Sequence, residues 1–216
     1  ALGQENTDFW ALCGNTIKNI LFYDITGHWA EKNIIFCHDQ GWMFGNSGRF
    51  RPEASMTRAE AATVIVRMMG LEDSGAGADF DDTKNHWAAK YIAIARANNL
   101  ISGVGNNRFN PDGPLTREQI TVIIDNAAIF SSAVNFHDSP FTDISPEHNS
   151  WSYDSIIKMY HNGVISGYGD GTFRPRNNIK RAEMAKIMNN LSGLGMHAGM
   201  GPDDQSFDEY SADGYN

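Results

Sequence analysis

The stretch from Gly167 to Pro175 reads Gly-Tyr-Gly-Asp-Gly-Thr-Phe-Arg-Pro, and the stretch from Ile179 to Glu183, which follows it closely, reads Ile-Lys-Arg-Ala-Glu. Both patterns occur twice more, in looser form, among the 216 residues of the chain. The spacing from the Phe to the following Arg is eight residues in every copy: Phe50 and Arg58, Phe109 and Arg117, Phe173 and Arg181. A spacing that is kept inside a unit and relaxed between units marks one supersecondary element used three times.

An Asp and a Trp open each copy. The pairs are Asp24 and Trp29, Asp82 and Trp87, and Asp143 and Trp151. The Trp positions are 58 and 64 residues apart, so insertions fall at the start of a copy or between copies. We therefore predict a leading amphipathic helix over residues 1–21, repeat 1 over 22–79, repeat 2 over 80–140, repeat 3 over 141–194, and an acidic, Gly-rich tail over 195–216.

Each repeat predicts a helix, a Gly-rich loop and a second helix. The first helix ends at a residue that suits a left-handed C-terminal cap: Gly41, Asn99 and Gly163. The second helix begins with a capping box in repeats 1 and 2, Thr57 to Glu60 and Thr116 to Gln119, whereas repeat 3 has Lys180 in the Thr position. Each second helix carries one apolar stripe, which a single helix cannot bury alone. We therefore expect the three second helices to share a core. The predicted fold class is mainly α, a three-lobed single domain.

Composition excludes several classes of function. The 17 Lys and Arg against 26 Asp and Glu give a net charge of −9, which argues against a nucleic-acid binder. No apolar run approaches the roughly 18–20 residues that span a bilayer, so we expect no membrane insertion. Nothing at Ala1 resembles an attached signal peptide, and we expect a soluble chain, such as one that begins after a removed signal.

Cys13 and Cys37 are the only cysteines. They exclude a zinc site of four thiolates and permit at most one disulfide. The leading helix could place Cys13 near Cys37, and a bridge and a buried pair of reduced thiols both stay open.

Taken together, the Asp, the His-Trp-Ala, the Gly-rich loop ending in Phe-Arg-Pro and the Thr-Arg-Ala-Glu helix start resemble the S-layer homology repeat, in three copies from about Phe22 to Leu194. The resemblance implies a pseudo-threefold spindle of three lobes around a central three-helix bundle. It also implies a secreted protein held noncovalently at the bacterial cell wall by polysaccharide that carries pyruvate ketals on N-acetylmannosamine. In that family the sugar lies in grooves between repeats, and the Arg of the Thr-Arg-Ala-Glu motif binds the anion.

The position of Arg58, Arg117 and Arg181 in the first turn of a helix supports that role without the resemblance. A cation in the first turn of a helix opposes the helix dipole by about 0.3–1 kcal/mol, so helix stability does not explain its placement in every repeat. A guanidinium matches a carboxylate in shape, and the nearby helix amides add partial positive charge. The alternative is a structural ion pair with a neighbouring acid, for example one of the repeated Asp24, Asp82 and Asp143, which are also candidate groove residues.

The remaining candidate groove residues are Trp29, Trp87, Trp151, Gly45, Gly103 and Gly167. A Trp at a helix start is more often a core anchor than a sugar platform, so we expect core packing, with a ring edge free to line a groove. We expect the glycines to serve backbone conformation first and close approach of a sugar second. The grooves should be unequal, because Phe44 replaces a Ser in repeat 1, Glu118 follows Arg117, and Lys180 replaces a Thr.

The sequence also raises three other classes of function. A hydrolase needs one asymmetric pair of carboxylates or a nucleophile with its base, and the acids here follow the repeat instead, so we expect no enzyme and no cofactor. A calcium-binding module is prompted by Asp170-Gly171 and by residues 79–82, but the EF-hand spacing is missing. The main alternative is a module that assembles with other surface-layer chains through aromatic residues of its ends: Phe9, Trp10, Phe207, Tyr210 and Tyr215.

Overall fold

The structure is a computed structural model that describes residues 21–73, 75, 80–127 and 139–195. These residues are mainly helical and contain six α-helices and no β-strand. The helices are α1 (Glu31–Asp39), α2 (Arg58–Met68), α3 (Ala89–Ala97), α4 (Arg117–Ala127), α5 (Tyr153–His161) and α6 (Arg181–Ser192). The predicted leading helix and acidic tail lie outside the described residues, apart from residues 21 and 195.

The first helix of each repeat, α1, α3 or α5, ends as the sequence predicts. Gly41, Asn99 and Gly163 have φ values of +74°, +57° and +71°, which is the left-handed conformation that suits Gly and Asn. The chain then turns back sharply, and the N–H groups after the cap bond to carbonyls of the last helical turn, as in Trp42 N–H to Cys37 O at 2.9 Å.

The second helix of each repeat, α2, α4 or α6, begins with its capping box where the sequence offers one. The Thr57 hydroxyl accepts from Glu60 N–H at 3.1 Å, and the Glu60 carboxylate accepts from Thr57 N–H at 2.9 Å. Thr116 and Gln119 make the same reciprocal pair. Lys180 offers no acceptor for the helix amides, so repeat 3 keeps only the half in which Glu183 accepts from Lys180 N–H at 2.8 Å.

Three backbone hydrogen bonds join the repeats in a closed cycle just before the second helices. Met56 N–H donates to Ile179 O, Ile179 N–H donates to Leu115 O, and Leu115 N–H donates to Met56 O, at 2.9, 2.9 and 3.1 Å. The three residues are almost fully buried, so water cannot replace these bonds. Each repeat therefore completes the backbone pairing of another.

Helix packing also runs from one repeat to the next. The main contacts between helices pair α2 with α3, α4 with α5, and α6 with α1. The second helix of each repeat thus packs on the first helix of the following repeat, and repeat 3 packs back on repeat 1. The sequence predicts that the second helices pack together, and among them α2 and α4 make a smaller contact. The predicted stripes lie in one continuous hydrophobic core.

No helix within the described ranges combines the length and the apolar character that crossing a membrane would need.

Cys37 carries a free thiol in the core between repeats. It is 0% exposed, and its Sγ donates to Ala185 O at 3.3 Å. Burial raises its pKa to about 12. Cys13 lies outside the described residues, so its pairing stays a prediction; the sealed position of Cys37 favours the reduced thiol of the two alternatives.

In a Cys13→Ser variant we expect Cys37 to react with a thiol reagent only after unfolding, because the reactive thiolate is both rare at neutral pH and sealed from solvent. The measurement is the labelling rate with Ellman's reagent in buffer and in 6–8 M urea, roughly the range that unfolds small domains. Immediate labelling of the folded variant would contradict the buried thiol. A wild-type mass two hydrogens short under non-reducing conditions would instead show the bridge.

Candidate functional site

The repeated Asp of each repeat organises the loop before the second helix. Both carboxylate oxygens of Asp82 accept backbone N–H groups, from Phe109 and from Asn110, at 2.9 Å. Burial acts to raise the pKa of Asp82, but these hydrogen bonds outweigh it and the pKa is lowered. Asp24 and Asp143 bind their own loops in the same way at 2.7–2.8 Å. The three aspartates therefore hold the loops in shape.

Gly45, Gly103 and Gly167 lie where the loop passes over an aromatic ring. A Cβ atom at Gly167 would be 2.5 Å from the Phe141 ring and 2.8 Å from Thr172 O, and Gly45 and Gly103 meet Phe22 and Phe80 at similar distances. None of these glycines has a positive φ. The expectation of a conformational need was therefore wrong, because the requirement is space for the ring.

The three motif arginines reach across repeat boundaries. In each case Nε donates to the carbonyl of the loop Phe of the next repeat, and Nη2 donates to a carbonyl at the start of that loop. The acceptors are Phe109 O and Ser102 O for Arg58, Phe173 O and Ser166 O for Arg117, and Phe50 O and Phe44 O for Arg181, all at 2.7–3.0 Å. We call the space around each arginine the Arg58 groove, the Arg117 groove and the Arg181 groove.

Two of the arginines also have a carboxylate partner. Arg117 Nη1 lies 3.0 Å from Glu183, and Arg181 Nη1 lies 2.8 Å from Glu60. The pairing predicted as the alternative, with Asp24, Asp82 or Asp143, was wrong because those acids are bound to their loops. Glu118 does not pair with Arg117 either; it accepts from the Ser152 hydroxyl at 3.1 Å.

Sequence reasoning missed these glutamates as groove residues. Glu60 stood out only as a capping-box residue, and Glu183 only as part of the repeated motif. Each uses one oxygen to accept from a backbone N–H at the start of its helix and the other for an arginine of the preceding repeat. The signal was present, since the glutamate recurs two residues after the arginine, but its second partner comes from elsewhere in the chain.

Burial differs among the arginines. Arg117 and Arg181 are 6% and 9% exposed, whereas Arg58 is more exposed. Burial lowers the pKa of Arg181, against the opposing charge of Glu60, and burial lowers the pKa of Arg58, against the opposing charge of Asp82. A guanidinium has N–H donors and no acceptor atom, so all three side chains can only donate hydrogen bonds.

Cavities of about 160 and 300 Å³ open at Arg117 and Arg181, respectively. The Arg117 cavity is lined by residues of three repeats, among them Trp29, Ser166, Gly167, Tyr168, Glu183 and Lys186. The Arg181 cavity is lined by Gly45, Arg49, Arg51, Thr57 and Glu60, among others. Cations, carbonyl groups and aromatic rings therefore converge at junctions between repeats.

The three repeated tryptophans are exposed. Trp29, Trp87 and Trp151 have 57%, 61% and 56% of their surface accessible, so the expectation that they are core anchors was wrong. Each lies in the turn before the first helix, which turns the ring outward. Trp29 stands at the Arg117 cavity. A half-exposed indole beside a polar cavity can stack on the apolar face of a sugar.

Among the described residues, no cluster of three or more His, Cys, Asp or Glu side chains is arranged to hold a metal ion. The acids of the grooves are already engaged by arginines and backbone amides.

These features define a mainly helical tandem-repeat module with an arginine at each junction between repeats. The chain belongs to the S-layer homology domain family, whose model matches residues 21–62, 79–121 and 140–185, more than half of the chain.

Similar proteins include cell surface glycoprotein 1 of Acetivibrio thermocellus, 33% identical over 66% of this chain and 7% of that protein. A cellulosome-anchoring protein of the same organism is 32% identical over 66% of this chain and 33% of that protein. S-layer protein EA1 of Bacillus anthracis is 30% identical over 75% of this chain and 19% of that protein. The chain thus spans a third or less of the length of these relatives.

Proposed function

We propose that this chain is a noncovalent anchoring module of the bacterial cell surface, which binds cell-wall polysaccharide bearing pyruvate ketals in its grooves between repeats. The observation that carries the proposal is the recurrence, at each junction, of a guanidinium held in a fixed orientation by two loop carbonyls. Membership of the S-layer homology family supports it, as do relatives named as a cellulosome-anchoring protein and an S-layer protein.

The proposed architecture is a three-lobed spindle around a central bundle of α2, α4 and α6. The cyclic hydrogen bonds among Met56, Leu115 and Ile179, and the packing of α6 on α1, are what such a closed arrangement requires. In this arrangement the three junctions are equivalent places around one axis, and each carries a groove.

The proposed chemistry uses a charge and a ring. The guanidinium binds the pyruvyl carboxylate, and an exposed Trp stacks on the sugar to which the ketal is attached. The overall charge of −9 does not forbid an anionic ligand, because cations outnumber the carboxylate in each cavity: Arg117 and Lys186 against Glu183 in one, and Arg181, Arg49 and Arg51 against Glu60 in the other. Each site can be weak, since several grooves on one polymer chain bind jointly.

The direct test is equilibrium binding of the chain to purified envelope glycan with and without its pyruvyl groups. We expect the affinity to fall when the groups are removed. Equal affinity for the two forms would overturn the role of the carboxylate. Absence of binding together with self-association would favour the alternative of an assembly module.

A Trp29→Ala variant should bind the pyruvylated glycan about twofold to twelvefold more weakly, the equivalent of the roughly 0.5–1.5 kcal/mol of an aromatic contact. Trp29→Phe should keep most of the affinity because a ring remains. Leu194→Ala is the control, because this side chain is also exposed, at 48%, but lies beyond the end of α6. Equal binding by Trp29→Ala and Leu194→Ala would remove the indole from the site.

A further inference from the structure

Within the described part of the chain, Arg58 is the motif arginine that has no carboxylate at ion-pair distance. Its Nε and Nη2 are bound to Phe109 O and Ser102 O at 2.7 Å, as in the other grooves, but none of the described residues accepts from its Nη1. In Arg117 and Arg181 the same nitrogen is bound to Glu183 or Glu60. The Arg58 guanidinium therefore differs from the other two in the environment of its third nitrogen.

The cause lies in the capping box of repeat 2. In the other two grooves the arginine pairs with the residue at the capping position of the next repeat. The equivalent residue for Arg58 is Gln119, in repeat 2. Its Oε1 accepts from Thr116 N–H at 3.0 Å, which is the function that one carboxylate oxygen performs in Glu60 and Glu183. The other end of a glutamine side chain is an amide NH₂, a donor. The position that holds an acceptor in the other grooves holds a second donor here.

We infer that the Arg58 groove is the preferred carboxylate site of this chain and that Gln119 determines the preference. The inference takes from the proposed function the identity of the ligand, a pyruvate ketal on a sugar. The Arg58 guanidinium and the Gln119 side-chain amide both donate hydrogen bonds, and one carboxylate of a ligand can accept from both. In the Arg117 and Arg181 grooves a ligand must share the guanidinium with a resident carboxylate of the same sign.

The order depends on the residue beside the guanidinium and not on the summed charge of each groove, because Lys186 also lines the Arg117 cavity and Arg49 and Arg51 line the Arg181 cavity. Asp82 is the acid that acts on Arg58 through its charge, but Asp24 acts on Arg181 in the same way, so the effect is common to both. Both oxygens of Asp82 are held by backbone N–H groups of its loop. The greater exposure of Arg58 also makes its guanidinium easier for a ligand to reach.

The experiment follows the Nε–Hε resonances of the three arginines by NMR while a carboxylate is added. Two probes are used: the methyl glycoside of N-acetylmannosamine bearing a pyruvate ketal, and 2,2-dimethoxypropanoate, a pyruvate ketal without sugar. We expect the Arg58 resonance to shift at lower concentration than those of Arg117 and Arg181. Prior or equal response of Arg117 or Arg181 overturns the inference.

Two substitutions exchange Gln and Glu at the position beside the arginine. Gln119→Glu places a carboxylate beside Arg58 and should weaken binding in that groove about tenfold or more, as expected for loss of a charge-assisted hydrogen bond. Glu183→Gln should make the Arg117 resonance respond at lower concentration. Unchanged affinity of Gln119→Glu overturns the inference, and this variant should fold, because a Glu at this position can accept from Thr116 N–H as Glu60 and Glu183 accept from the N–H groups of Thr57 and Lys180.

The two probes distinguish failure of the inference about Arg58 from failure of the proposed function. A response of Arg58 to dimethoxypropanoate without binding of the glycoside would reject the proposed sugar ligand and keep the carboxylate site. Binding of the glycoside with no change at Arg58 would keep the proposed function and reject the inference. No response of Arg58 to either probe rejects the inference as well.

Discussion

Replacing Arg117 with alanine should lower the free energy of unfolding by about 3–5 kcal/mol, the range for breaking a buried ion pair by removing one partner. The side chains of Arg117 and Glu183 are 7% and 15% exposed. The substitution leaves the partly buried Glu183 carboxylate with the Tyr168 hydroxyl, at 2.7 Å, and Lys180 N–H, at 2.8 Å, as its hydrogen-bond donors. It also removes the donors of the Phe173 and Ser166 carbonyls.

Arg58→Ala is the matched control. It removes the same two carbonyl contacts from the next loop but leaves no carboxylate without its cation, so we expect a smaller loss of about 1.5–3 kcal/mol for hydrogen bonds to a charged group. The measurement is urea unfolding of both variants followed by circular dichroism. Equal losses would mean that the Glu183 pair contributes nothing to stability beyond the carbonyl contacts that both arginines share.

Local features of this chain could be predicted because they depend on residues close in sequence. The left-handed caps at Gly41, Asn99 and Gly163 need only a residue that tolerates a positive φ. The Thr57–Glu60 pair needs only a hydroxyl and an acceptor three residues apart. Such signals repeat three times here, and the repetition separates them from chance.

The partners of the arginines could not be predicted, because they come from a different repeat. In sequence, Asp24, Asp82 and Asp143 were the acids with the same period as the arginines, so they were the natural candidates. In the structure, the loop amides bind these aspartates, and Arg117 and Arg181 pair instead with the glutamate near the helix start of the next repeat. Sequence period identifies equivalent residues, but it does not reveal which copy supplies a contact.

The tryptophans show a limit of residue-type reasoning. Trp is a large, mostly apolar side chain, and a core position is its usual place. Here the core positions near the first helix are filled by Phe22, Phe80 and Phe141, each packed against the loop Phe of its own repeat. The indoles therefore remain at the surface, where those of Trp29 and Trp87 contact the rings of His28 and His86.

The cyclic contacts have a consequence for stability. In an open solenoid the terminal repeats each lose one neighbour. In this chain α6 packs on α1, and Ile179 and Met56 pair through their backbones, so repeats 1 and 3 are also neighbours. A change at one groove therefore acts on two repeats at once, and substitutions in the loops affect the global free energy of unfolding.

Gly167→Ala should lower the free energy of unfolding by about 1–3 kcal/mol through overpacking. The new Cβ would lie 2.5 Å from Phe141 Cε1, and 2.8 Å from Thr172 O, which belongs to the backbone of the same loop. The loop cannot move away freely, because Asp143 holds the N–H groups of Phe173 and Arg174 at 2.7 Å.

Gly169→Ala is the control in the same loop, since nothing lies within 4 Å of a Cβ there and its φ is not positive. It should be close to neutral, or stabilising by about 0.4–1 kcal/mol through the unfolded chain. Chemical denaturation of both variants, repeated in a Phe141→Leu background, isolates the ring. If the ring is the obstacle, Gly167→Ala costs less in the leucine background than in the wild type. An equal cost in both would place the obstacle at Thr172 O, which the leucine leaves unchanged.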